Sequence, residues 1–347
     1  MKNKMIAVLL LCCICLSGCS QTHIPPVCEE NTSEEITTGI PPTHIGDNEF
    51  ETIEKEPDPI VNIEEDEIYL VAPSPIYTLN ALPNKGRDII MVGEFTEDEK
   101  NKIIEMEKKL DNFAPNISLS VYSLDGRRGL IYNGQQKYFS ACTIKIPWML
   151  YLCKGIDEGK YSKDDILTYE SRHYHGGSGK IRYNAYGSKY TVEELIILCL
   201  SISDNVAYKM LVEYVDRNDF YAYIDPLGYA SLHVPSWSIW SSNSIARDYC
   251  GIWLEVYKYF TENDTEGTRI LKTACTNTRF NYGTETLVGE DYSHKSGENF
   301  GENCTFNDAG IVWATTPYTY AIFTKTEGTK EDAKLVDAIM TIVHDIF

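Results

Sequence analysis

Three short strings, far apart in the 347-residue chain, hold side chains that could do chemistry together. Cys142-Thr143-Ile144-Lys145 sets a thiol ahead of an amine, Ser203-Asp204-Asn205 sets a hydroxyl beside an amide, and Lys295-Ser296-Gly297 sets a cation and a hydroxyl beside a residue with no side chain. A thiol at a helix start gains from the helix dipole, which stabilises a developing anion. A lysine three residues later lies one turn along the same face, and its amine can act as base where burial lowers its pKa. Ser203 can relay a proton to a leaving nitrogen, and Asn205 can hold a substrate amide together with the lysine. Lys295 and Ser296 suit a substrate carboxylate, and Gly297 lets a substrate approach strand backbone. That set matches the needs of acyl transfer: a nucleophile, a base for its proton, and groups that hold the substrate.

The surrounding pattern supplies the elements. Thr96 and Glu99 form a capping box, and Ile103, Met106, Leu110 and Phe113 follow at helical spacing, which predicts a helix over 97–113. Ile117, Leu119 and Val121 alternate with polar neighbours, which predicts a strand with one buried face. Asp125-Gly126 turns the chain, and 129–133 returns as the second strand of a hairpin. Near the C-terminus 310–315 and 318–325 read as strands around Thr316-Pro317, and Thr329 caps a last amphipathic helix through Leu335, Val336, Ile339, Ile342, Val343 and Ile346. The middle, 142–265, reads mainly helical, with a second capping box at Thr191 and Glu194. The predicted class is α+β: one antiparallel sheet flanked by the N- and C-terminal helices, plus a helical subdomain, with a site in the cleft between them.

Each string alone recurs by chance. In this order, and on these elements, they resemble the penicillin-recognising acyl-transfer superfamily of class A β-lactamases and DD-peptidases, whose pattern is S-x-x-K, S-D-N, K-[TS]-G. Further likeness lies at 122–125, 144–147, Gly177-Ser178-Gly179, Ala246-Arg247-Asp248 and Asp308-Ala309-Gly310, so the resemblance spans roughly 96–347. It implies a β-lactamase/DD-peptidase-like fold and a covalent acyl-enzyme on β-lactams or peptidoglycan-type peptides. Cys142 is then the nucleophile, Lys145 the base and Ser203 the relay, with Asn205, Lys295, Ser296, Gly297 and Glu298 binding substrate. It also places the oxyanion hole at the backbone N–H groups of Cys142 and Glu298. No cofactor is implied.

Two departures stand out. The family nucleophile is Ser, and here the position holds Cys142; Ser140 and Thr143 are adjacent but out of phase with Lys145. A thiol beside a lysine at a helix start should have a depressed pKa, yet sulfur is larger than oxygen and a site shaped for Ser tolerates displacement poorly. Class A β-lactamases also carry E-x-x-L-N after S-D-N, where the Glu activates water. Between Asn205 and Arg247 none of Glu213, Asp216, Asp219 and Asp225 begins that motif. Two functions stay open: an acyl-transfer hydrolase slow in deacylation, and a catalytically silent binding protein for cell-wall peptides or β-lactams. His173-x-His175 reads as a rim feature rather than a metal site.

Composition bounds the rest. There are 51 acidic against 31 basic side chains, a formal charge of −20, which argues against nucleic acid as a partner. Residues 20–67 hold 14 acids and one lysine, and 68–347 carry −9, an ordinary value for a soluble domain expected as a monomer. Lys2 and Lys4 precede an apolar run, Met5 to Leu16, too short for a bilayer of about 30 Å. The run ends Leu16-Ser17-Gly18-Cys19, which looks like a bacterial lipobox and implies lipid attachment at Cys19. Residues 1–19 are thus read as a lipoprotein signal, 20–94 as an acidic, mostly disordered tether with 68–94 as a stretch that could pack as an irregular arm, and 95–347 as the domain, held outside the cytoplasm on a membrane by its lipid. Six of the 11 cysteines lie in the domain without a C-x-x-C pair; Cys275 and Cys304 could pair, which spacing leaves open.

Overall fold

The computed structural model describes residues 89–114, 116–241, 243–276, 278 and 291–347, all within one compact unit, Ile63–Phe347. The lipobox and the acidic tether lie outside the described residues. A six-stranded antiparallel sheet has the order β1-β3-β2-β8-β7-β6, with β1 Ile90–Val92, β2 Ile117–Ser123, β3 Gly129–Tyr132, β6 Tyr292–Asn299, β7 Thr305–Val312 and β8 Tyr318–Thr324. The N- and C-terminal segments therefore do share one sheet. The short edge strand β1 comes from the stretch read as a tether and irregular arm: Met91 pairs with Leu130 in regular antiparallel register.

Helices α1 (Glu97–Asp111) and α8 (Lys330–Ile346) cover one face. Both start as the sequence predicts, with complete capping boxes at Thr96/Glu99 and Thr329/Asp332. Ile103, Met106 and Leu110 of α1 and Val336, Ile339 and Val343 of α8 bury against Leu119 and Val121 of β2. The other face of β2 is buried too, against the expectation of one buried face. Helix α6 (Ala246–Glu262) lies behind it, and Ser118 is fully buried with its hydroxyl on the Asn133 carbonyl at 2.7 Å. Alternation in sequence marks polarity, and a hydroxyl with a backbone partner is a polar residue that a core accepts.

The helical subdomain contains α2 (Lys145–Asp157), α3 (Val192–Ser201), α4 (Asn205–Tyr214), α5 (Arg217–Ile224) and α7 (Glu266–Thr276). It is less uniformly helical than its composition suggests. Strands β4 (Ile166–Thr168) and β5 (Lys189–Thr191) form a small two-stranded sheet, and Thr191 still caps α3 with Glu194. At its centre the Trp148 ring of α2 stacks on Phe220 of α5, centroids 3.9 Å apart. Cys275 and Cys304 are both free thiols. Among the described residues no helix is long and apolar enough to cross a membrane.

Trp148 anchors the helix that carries Lys145. Trp148→Ala should destabilise the domain by about 3–5 kcal/mol, read as a lowered urea midpoint with an unchanged slope.

Candidate active site

Cys142 lies in a 3₁₀ turn, Ala141–Ile144, that runs directly into α2. The sequence reading has the helix open at Cys142. Pro147 delays it, because a residue without an N–H cannot bond the carbonyl four residues back, and the preceding residues tighten instead. The turn is held from two sides. Ser140 N donates to Ser241 O at 2.8 Å, and Ser140 Oγ accepts from Ser241 N at 3.1 Å. Asn307 of β7 donates to the Phe139 carbonyl at 2.9 Å while its own oxygen accepts from Thr324 N at 3.1 Å. Thr143 donates to Ser140 O at 2.6 Å. The two hydroxyls flanking Cys142 are thus engaged in shaping the turn.

Lys145 is completely buried, and its Nζ contacts three oxygens: Ser203 O at 2.8 Å, Asn205 Oδ1 at 2.8 Å and Ser203 Oγ at 3.1 Å. One tight turn supplies all of them. Ser203 adopts φ +55°, a left-handed conformation that costs a residue with a side chain of order 1–3 kcal/mol. Asp204 then caps α4, its Oδ1 accepting from Val206 N and Ala207 N at 3.0 Å each. Its other oxygen accepts from Lys180 N at 2.6 Å and Ile181 N at 2.9 Å. The glycine-rich run before Lys180 is laid on this turn: Asn205 Nδ2 donates to Gly176 O at 2.8 Å, and a side chain at Gly179 (φ +106°) would fall 2.3 Å from Asp204 Cγ.

The thiol of Cys142 sits 3.7 Å from Asn205 Oδ1. Burial pushes this thiol up, but the charges of Lys145 and Lys295 and hydrogen bonds from Ser203 and Lys145 more than offset it, leaving the thiol below its ordinary pKa. Lys295 is almost wholly buried on β6, donates to Ser296 O at 2.7 Å, and is pushed down to about 8, chiefly by desolvation. Gly297 packs on the backbone of the Cys142 turn, where a Cβ would meet Cys142 N at 2.7 Å. Alternation along β6 turns Ser296 to the face of His294 and Asp308, which pair at 2.9 Å. Of that triplet, Lys295 and Gly297 face the Cys142 turn.

A cleft of about 410 Å³ opens over the thiol. It is lined by Cys142 and Asn205, the rings of Phe139, Trp240 and Phe300, and the imidazole of His175. Glu298 is the one carboxylate among its described lining residues. Glu213 lies in α4, as expected, and is committed elsewhere, to Arg172 Nε and His173 Nε2 at 3.0 Å each. His173 and His175 therefore diverge, the first buried against Glu213 and the second lining the cleft. The sequence reading missed Asn307 as the clamp on the turn and the aromatic walls. Asn307 had a signal, an amide beside Asp308 at the polar start of a strand that ends apolar; Trp240 and Phe300 had none, because loop aromatics reveal their direction only in three dimensions.

The sequence model described as Beta-lactamase enzyme family matches residues 100–347. No curated protein sequence matches the chain. Among solved structures the chain is similar to a PBP-A variant in an acyl-enzyme complex with penicillin-G, at 20% identity and TM-score 0.59 over 71% of this chain and 96% of that one. It is similar to a β-lactamase from Sphaerobacter thermophilus, at 18% and 0.59 over 70% and 95%. A class A β-lactamase from Bacteroides cellulosilyticus gives 18% and 0.61 over 73% and 99%. At these identities the likeness is one of fold.

Two cations hold the thiol down, so removing one should raise it. In Lys145→Met, alkylation of Cys142 by iodoacetamide should slow at pH 7, and its rate-against-pH curve should move to higher pH, located at Cys142 by peptide mass. An unmoved curve would remove Lys145 from the thiol's electrostatics.

Proposed function

The chain belongs to the beta-lactamase enzyme family, and from that premise we propose that it is an acyl-transfer hydrolase in which Cys142 attacks the carbonyl of a β-lactam or peptidoglycan-type peptide. The observation that carries this reading is the convergence of three distant stretches on one sulfur: Asn205 at 3.7 Å, Lys145 bridging Asn205 and Ser203, and Gly297 packed on the backbone beside it.

The thiol changes what the lysine does. A serine hydroxyl needs a base at the moment of attack, whereas a thiol lowered by two neighbouring cations gives up its proton more readily. The three oxygens around Lys145 Nζ match the three N–H donors of an ammonium. In this reading Lys145 acts first as the cation that holds the thiolate. Attack forms the C–S bond and breaks the C–N bond of the substrate. Ser203, hydrogen-bonded to Lys145, passes a proton to the departing nitrogen. The backbone N–H groups of Cys142 and Glu298 receive the developing oxyanion, and Lys295 supplies the charge for a substrate carboxylate. The product of this half-reaction is a thioester. With Glu298 the one carboxylate among the described lining residues, its hydrolysis is the slower half, and that same feature favours the second reading, a binding protein that captures without release.

The lipobox-like end at Cys19 supports a lipid-anchored, extracytoplasmic placement, with the chain between Cys19 and strand β1 as spacer and the domain as a monomer. A cell-wall or antibiotic substrate would be met there.

Incubating the protein with a penicillin should add one intact penicillin mass, mapped to Cys142 and lost in Cys142→Ala. No adduct on the native chain, and none on Cys142→Ser, would sink the enzyme reading. For the anchor, metabolic labelling with a radiolabelled fatty acid should mark the native chain and not Cys19→Ala.

A further inference from the structure

The proposed reaction leaves its second half without a base, and the cleft offers a candidate. His175 lines the same cleft as Cys142. Its Nδ1 lies 2.9 Å from the carbonyl oxygen of Gly176. A carbonyl only accepts, so Nδ1 carries the proton, and the neutral ring holds its lone pair on Nε2. The same Gly176 oxygen accepts from Asn205 Nδ2 at 2.8 Å, and Asn205 Oδ1 meets both Lys145 and the Cys142 thiol. One hydrogen-bond chain therefore runs from the imidazole through Gly176 and Asn205 to the sulfur. The ring is also braced edge-on against Trp240, centroids 5.8 Å apart.

The geometry points to His175 as the general base of deacylation, taking through Nε2 a proton from the water that attacks the Cys142 thioester. This rests on the acyl-enzyme reading above. The step balances without another reactant. Water oxygen bonds to the acyl carbon, one water proton goes to Nε2, the C–S bond breaks, and the thiolate regains a proton as the free acid leaves. The other ionisable candidate in the lining, Glu298, sits three residues beyond Lys295, where its charge opposes the carboxylate of an anionic substrate.

The test uses the full chain and two acylating probes, a penicillin and p-nitrophenyl acetate, the second of which needs no β-lactam recognition. Adduct at Cys142 is followed by peptide mass after excess probe is removed. His175→Gln should slow adduct loss about 10²-fold, the low end of what a general base contributes, and by a larger factor than it slows adduct formation, which reports a folded site. Added imidazole should speed adduct loss in His175→Ala, which leaves room for it, more than in His175→Gln. A packing role for the ring would give no such rescue. Unchanged adduct lifetime in His175→Gln overturns the proposal, as does slowing found in Glu298→Gln instead. If acetyl-Cys142 forms and its loss depends on His175 while penicillin gives no adduct, the substrate reading fails and the base stands. If neither probe acylates Cys142, both fall.

Discussion

A lysine side chain with no exposure must find oxygen for every N–H it carries, and the site is organised around meeting that demand for Lys145. All three of its partners come from Ser203 and Asn205, which is why the chain between α3 and α4 accepts a left-handed serine there. The strain is held in place by Asp204, whose carboxylate takes four backbone N–H groups, two at the start of α4 and two at Lys180 and Ile181. Satisfying one buried amine thus fixes a turn, a helix start and the glycine-rich loop above the cleft in a single arrangement.

The same amine sets the character of the sulfur. Burial alone would keep Cys142 a neutral thiol, as it pushes the buried Cys199 up to about 12. Lys145 and Lys295 reverse the sign at Cys142. Both cysteines feel these two lysines; what Cys142 has besides is direct hydrogen bonding from Ser203 and Lys145 and an opening to the cleft. The backbone around the sulfur is tight in one direction only: Gly297 packs on the Cys142 nitrogen, while the sulfur faces an open cleft.

The sheet does the long-range positioning. Asn307 reaches from β7 to the loop before Cys142 while it accepts from the neighbouring strand β8, so the turn that bears Cys142 is bonded to two strands across the domain. Burying both faces of that sheet, under α1 and α8 on one side and α6 with the helical subdomain on the other, keeps this frame stiff. A site assembled from three separate stretches requires such a frame, since displacement by about 1 Å can cost a large factor in rate.

Much of this was legible from residue order alone. The capping boxes at Thr96 and Thr191 and the cap at Thr329 act over three residues, so their signature is local; that Asp332 completes a third box came only with the structure. The three chemical strings were legible because each sits within one turn or strand, where spacing fixes relative position. What spacing could not convey was anything that depends on the neighbours a fold brings together. The serines of β2 looked solvent-facing and are buried under α6; Cys142 looked like a helix start and lies in a tighter turn. His175 looked like a rim residue, and only tertiary structure ties its ring, through Gly176 and Asn205, to the sulfur. The sequence by itself determined which groups were available and which elements carry them, because helix and strand periodicity are short-range. The protonation of the thiol, the direction of the imidazole and the company each polar group keeps were decided only on folding, because charge and hydrogen bonding act across space and not along the chain.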